Sequence, residues 1–293
     1  MKRILILLLI LSILLISGCQ NNEAPNKVVA TTKPVYDFTV YLCADTGIEV
    51  DLLVTEQLSC LHDYTLQVQQ MRLLESAQVV IMSGAGLESF LDDALLNASS
   101  IIDASENIQL ICSGHVHDHG KTSDGHHHEE DPHIWLNIDN ARKMAFNIYK
   151  GLIDQFPEHE QVFRDNLNKL DLEFDALDAY GKSQLSNLTT NELITFHDGF
   201  AYFADYFDLH IIHSLEEESG SEASAAELIE LIHLVNEHSL PAIFIEENGS
   251  TSASEVIAAE TGADIYRLNM AMADDDYFKS MYQNINQIKE ALG

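Results

Sequence analysis

EHEQVFRDNLNKLDLEFDALDAYGKSQLSNL, residues 158–188, decides how the rest of the chain is organised. Phe163, Leu167, Leu170, Phe174 and Leu177 recur at alternating steps of four and three, which puts them on one apolar stripe of a long helix. No Gly or Pro interrupts the run before Gly181. Such a helix at mid-chain serves equally as a stiff strut joining two lobes or as an ordinary amphipathic packing helix.

On both sides of it, short apolar runs alternate with helical stretches. Upstream, Val28–Thr32, Val50–Val54, Val79–Met82 and Ile101–Asp103 read as strands, with helices at Tyr36–Ala44 and around Leu66–Glu75. Downstream, strands are expected at Leu193–Phe196, Leu209–Ser214, Ala242–Ile245 and Asp264–Leu268. Helices between and after them should contain Phe200–Tyr206, Ala225–Glu237, Ser254–Thr261 and Asp276–Leu292. Alternation of this kind predicts an α/β fold with parallel sheets covered on both faces, in which ligands collect at the carboxyl ends of strands. His197 and Glu246 both stand at such ends.

The N-terminus belongs to a different category. Lys2-Arg3 precede an apolar run from Ile4 to Ile16 that ends at Ser17-Gly18-Cys19, the pattern of a secretory signal too short to span a bilayer comfortably. Ile16-Ser17-Gly18-Cys19 also resembles a bacterial lipobox, which implies lipid on Cys19 and an extracytoplasmic, membrane-anchored mature chain of about 275 residues. A net charge of −32 argues against nucleic acid and against anionic membrane surfaces as partners. Beyond Cys19 the chain has Cys43, Cys60 and Cys112, an odd number that implies no disulfide framework.

Histidine is the telling residue. Six of the 14 crowd into the low-complexity stretch Ser113–Asp131, as His115, His117, His119, His126, His127 and His128. That composition cannot build a core, and because imidazoles must be neutral to ligate, any metal binding there is expected to be weak, multiple and pH-dependent. Three others stand singly: His62 in Cys60-Leu61-His62-Asp63-Tyr64, His133 in Asp131-Pro132-His133-Ile134-Trp135-Leu136, and His197 in Thr195-Phe196-His197-Asp198-Gly199-Phe200. A folded site for a borderline metal usually gathers its imidazoles from separate segments in this way.

The order of His-Asp-Tyr, Ser83-Gly84-Ala85-Gly86-Leu87-Glu88, the His-rich acidic tract, Asp-Pro-His-Ile-Trp-Leu and Thr-Phe-His-Asp-Gly-Phe closely resembles the zinc- and manganese-binding solute receptors of ABC importers. The resemblance covers essentially the whole mature chain. It implies two α/β lobes joined by one long helix, with a metal between them held by His62, His133 and His197. The expected divisions are residues 1–18 signal peptide, 19–27 lipidated tether, 28–157 N-terminal lobe with the tract at 113–131, 158–188 linking helix and 189–293 C-terminal lobe. A third histidine, where manganese members typically place a carboxylate, favours Zn2+ over Mn2+. The implied partners are a permease and its ATPase, with the receptor a monomer.

The fourth ligand departs from the family pattern. Relatives supply a carboxylate from the loop after the last strand, but the matching position here is Met272 in Asn269-Met270-Ala271-Met272-Ala273. Asp274, two residues on, and a water are the leading alternatives; Glu246 fits better behind a ligand imidazole, and Cys60 is too near His62 for both to bind without strain. A zinc hydrolase and a surface adhesin are the competing functions. No His-Glu-x-x-His motif or Gly-x-Ser-x-Gly elbow supports hydrolysis, and a receptor with no catalytic turnover is expected.

Overall fold

In the computed structural model, residues 27–56, 61, 64–96, 100–111, 130–215, 223–247, 249–272 and 275–293 are described. The N-terminal half runs β1 (Lys27–Ala30), α1 (Lys33–Leu42), β2 (Glu49–Leu52), α2 (Val68–Ser76), β3 (Val79–Met82), a short α3 (Asp92–Leu95), β4 (Ile101–Asp103) and α4 (Ile138–Gln155). A 26-residue helix follows, α5 (Glu160–Leu185). The C-terminal half then runs β5 (Glu192–Thr195), α6 (Ala201–Tyr206), β6 (His210–Ser214), α7 (Ala225–His238), β7 (Ala242–Glu246), α8 (Ser252–Thr261), β8 (Asp264–Leu268) and α9 (Tyr277–Leu292).

Both halves build the same sheet. The strand orders are β2-β1-β3-β4 and β6-β5-β7-β8, and every pairing is parallel. Parallel strands buried on both faces read as unbroken apolar runs, and the cores show why. Leu193, Ala242 and Phe244 face one central core while Ile194, Ile243 and Ile245 face another on the far side of the same sheet. In the first sheet Val28 and Ala30 join the central core and Val29 turns the other way.

The long helix settles its own alternatives, because its two ends touch different lobes. Asn166 Nδ2 donates to the carbonyls of Leu42 (3.0 Å) and Ala44 (2.9 Å), satisfying orphan acceptors at the end of α1. Near the other end, a Cβ on Gly181 would lie 2.4 Å from the Phe207 ring, so glycine lets the helix press against the C-terminal half and run on to Leu185. Between these points Phe174 meets Phe38 on one side and Tyr277 and Phe278 on the other. A further bond joins the two lobes: Asp37 Oδ2 accepts the amide of Tyr277 at 2.9 Å and so caps α9 from the opposite lobe. The 18-residue α4 is absent from the strand–helix alternation read from sequence. Asn137 caps it by accepting from the amides of Asp139 and Asn140.

The carboxyl ends of β1 and β3 enclose a buried acid. Glu88 accepts from the Thr31 hydroxyl (2.6 Å) and the amides of Ser83 (2.7 Å) and Gly84 (3.0 Å). Burial outweighs these three donors and pushes its carboxyl up to about 7, from 4.5. The folded value lies above the unfolded one, so the stabilisation from this group is full below pH 4.5 and is lost as pH rises through about 7. Relative to Glu88→Gln, the wild type is expected to lose of the order of 3 kcal/mol of unfolding free energy across that window. Urea unfolding at several pH values measures it, and a pH-independent difference would refute the assignment.

Candidate metal centre

The second sheet reverses its strand order between β5 and β7, and a crevice opens at such a switch point beyond the carboxyl ends. Thr195 pairs with Phe244, so two residues further along each chain His197 and Glu246 come side by side. His197 Nδ1 lies 3.4 Å from Glu246 Oε1, and the Glu246 side chain is only 9% exposed.

His133 reaches the same place from the other lobe. It follows Asp131-Pro132 and precedes a 3-10 turn, Ile134–Leu136, whose three side chains are fully buried. Asp131 Oδ1 accepts both the backbone amide of His133 (2.9 Å) and its Nδ1–H (2.8 Å). The carboxylate thus fixes the tautomer and puts the ring's lone pair on Nε2, as it does behind metal-bound imidazoles generally. The His133 and His197 rings stand 5.2 Å apart at 84°. Two imidazoles that hold one tetrahedral ion through nitrogens at about 2.0–2.1 Å set their ring centres roughly 5 Å apart. The spacing across the cleft is compatible with a shared ion.

The surroundings hold these rings in place. A Cβ on Gly199 would come within 2.6 Å of His197 Cδ2 and 2.9 Å of its Nε2, so any other residue there would push the imidazole aside. Trp135, fully buried, lies edge-on to His133 at 5.4 Å and donates Nε1–H to the Met270 carbonyl at 2.8 Å, across the cleft. The loop after β8 is itself tied down: Asn269 Oδ1 accepts the amide of Ala271, and Asn284 Nδ2 donates to the Asn269 carbonyl, both at 2.7 Å. Met272 packs half-buried against the central core.

Of the residues singled out from sequence, His133, His197 and Glu246 are brought together. His62, Cys60, Asp274, Cys112, the six tract histidines and Cys19 lie outside the described residues. Among the described residues, no three His, Cys, Asp or Glu side chains converge on one point. The flanks of His62 are anchored: Leu61 is fully buried and accepts the Tyr64 amide, and the Tyr64 hydroxyl donates to Glu56 at 2.7 Å. Cys43 is a buried thiol, pushed up to about 12 by desolvation and so unsuited to ligation at neutral pH. Asp131 carries no role in the sequence reading, although it stands two residues before a candidate ligand, where a carboxylate can turn back onto the imidazole.

Asp131 offers a direct test. Asp131→Asn keeps an oxygen for His133 but removes the negative charge behind it, so metal affinity is expected to fall about 10–100-fold. Competition titration against a chelator of known affinity measures this. Unchanged affinity would remove the carboxylate from the centre.

Two α/β lobes of like topology bridged by one long helix define a class, the two-lobe binding proteins that present their site at strand ends facing the cleft. The particular family follows from comparison: this chain belongs to the ZnuA family, whose description is zinc-uptake complex component A, periplasmic, and whose model matches residues 28–291. Zinc-binding lipoprotein AdcA of Streptococcus pneumoniae is 28% identical over 312 residues, covering 99% of this chain and 61% of its own length. The chain thus spans about three fifths of that relative. High-affinity zinc uptake system protein ZnuA of Bacillus subtilis is 26% identical over 303 residues, covering 95% of this chain and 94% of its own. A crystal structure of ZnuA superposes with a TM-score of 0.78 at 27% identity, covering 92% of this chain and all of that one.

Proposed function

We propose that this chain is the solute receptor of an ABC zinc importer. It encloses one zinc ion between its lobes and delivers it to a membrane permease driven by an ATPase. The observation that carries the proposal is the pair His133 and His197, presented from opposite lobes at a spacing compatible with a shared tetrahedral ion, each with a carboxylate on its Nδ1. His62 supplies the third imidazole. Asp274 or a water completes the shell, with Met272 in the position where relatives place a carboxylate.

Imidazole donors suit zinc better than the harder manganese ion. Binding rather than catalysis fits the carboxylates, since Asp131 and Glu246 stand against the Nδ1 atoms of His133 and His197. The signal pattern and Cys19 support a receptor held outside the cytoplasmic membrane on a lipid anchor; we take it to act as a monomer. Release requires a state with lower affinity, and a permease that engages both lobes and parts them would separate His133 from His197.

Metal analysis of the purified protein, with zinc and manganese in competition, tests the reading. One zinc per high-affinity site, retained against excess manganese, is the expected result; preferential retention of manganese would overturn it. The His-rich tract is assigned to weaker capture, so deleting residues 114–129 is expected to leave that zinc in place. The tract's two ends support such an excision, because the Asp131 amide donates to the Ile111 carbonyl at 3.0 Å and closes the stem. Loss of all tight binding in the deletion variant would place the site in the tract instead.

A further inference from the structure

We infer that Tyr202 is a positioning residue for the metal centre, a latch that acts across the cleft on His133 through Asp131. Tyr202 lies on α6, in the same strand–loop–helix unit as His197, and is 2% exposed. Its hydroxyl donates to the Asp131 carbonyl at 3.0 Å and accepts the Ile111 amide at 3.0 Å. Both partners belong to the opposite lobe, at the two ends of the stretch that contains the His-rich tract. The side chain of the same Asp131 holds the His133 backbone and ring at 2.9 and 2.8 Å. A continuous run of bonds therefore leads from α6 in one lobe to the candidate ligand imidazole of the other.

This run spans the cleft beside the one that the ion itself would make between His133 and His197. The two links join the same pair of lobes, so each favours the arrangement that the other needs. Closing the tyrosine bond sets His133 at its distance from His197 before a cation arrives, and a bound cation holds the hydroxyl in reach of Asp131. Linkage then requires the effect to be mutual. Tyr202→Phe keeps the buried ring and removes the bonds to Asp131 and Ile111; the loss of ordinary hydrogen bonds corresponds to about a tenfold change.

The inference rests on the zinc reading, and its test separates the two. Zinc release to excess chelator is followed by stopped flow for the full chain, Tyr202→Phe and Tyr206→Phe. Tyr206 is a control on the same helix, where its hydroxyl bonds Asp178 of the linking helix at 2.7 Å and not Asp131 or Ile111. Release about tenfold faster from Tyr202→Phe alone, with Tyr206→Phe at the wild-type rate, is the expected result. Equal rates in wild type and Tyr202→Phe, or equal acceleration in both variants, would overturn the latch while leaving the zinc reading intact. A wild-type protein that takes up no zinc tightly would overturn both. Hydrogen exchange in the wild type needs no variant: the Ile111 amide is expected to gain protection on adding zinc while amides within β1 do not, and an Ile111 amide indifferent to zinc would count against the latch.

Discussion

Replacing His197 with alanine is expected to lower zinc affinity by roughly two to three powers of ten. Zinc held by four protein ligands is worth on the order of 10–16 kcal/mol, so one ligand accounts for about 2.5–4 kcal/mol, and each 1.4 kcal/mol is about tenfold. His133→Ala should have an effect of the same order, because the two rings stand edge to face 5.2 Å apart, each with a carboxylate at its Nδ1. His238→Ala is the comparison that gives the result its meaning. His238 also contacts a carboxylate, Glu192 at 2.9 Å, but lies on the surface and away from the cleft, so its loss should leave zinc affinity unchanged. Competitive titration with a chelating dye reads all three. Wild-type affinity in His197→Ala would mean that the ion is held elsewhere in the chain.

The largest effect on the fold itself is expected from Trp135→Ala. The indole is fully buried, and removing a buried Trp costs about 3–5 kcal/mol. It also strands the Met270 carbonyl, which accepts the indole N–H across the cleft. Denaturant unfolding of the metal-free protein, followed by circular dichroism, should show the unfolding free energy falling by that amount. A loss under about 1 kcal/mol would mean that the cleft relaxes around the missing ring and that the indole is not the support described. Because Trp135 lies next to His133, zinc affinity should fall as well. Its ratio to the stability loss then distinguishes support of the ligand from support of the fold.

The strands were legible because a parallel sheet buried on both faces leaves its signature in composition. Ala242–Ile245 is apolar throughout, and the structure sends alternate residues of it to two different cores. The linking helix was legible through one stripe of large residues, all of which are buried. Its role as a bridge was legible only through the family resemblance, because the stripe alone fits a packing helix equally well; the packing of Asn166 and Gly181 against different halves establishes it. Helix α4 escaped for a local reason. Its buried face is partly built from the small residues Ala141 and Ala145, which dilute the apolar period, although Asn137 at its cap and the spacing of Ile138, Ile148 and Leu152 carry the signal.

In the site, the histidines announced themselves by their neighbours, and Glu246 by its place at a strand end. Tyr202 could not, because its bonds join residues 71 and 91 positions away, and no local pattern records such a distance. Met272 occupies a half-buried place against the core.

Trp135 is also the chain's single tryptophan. Its ring lies 5.4 Å from the His133 ring, and its N–H bonds to the opposite lobe. Light that excites indole and not tyrosine therefore reports from one point in the molecule, the wall of the cleft. The protein carries its own optical gauge of whether its lobes are together, and the filling and emptying of the cleft can be timed without attaching any dye.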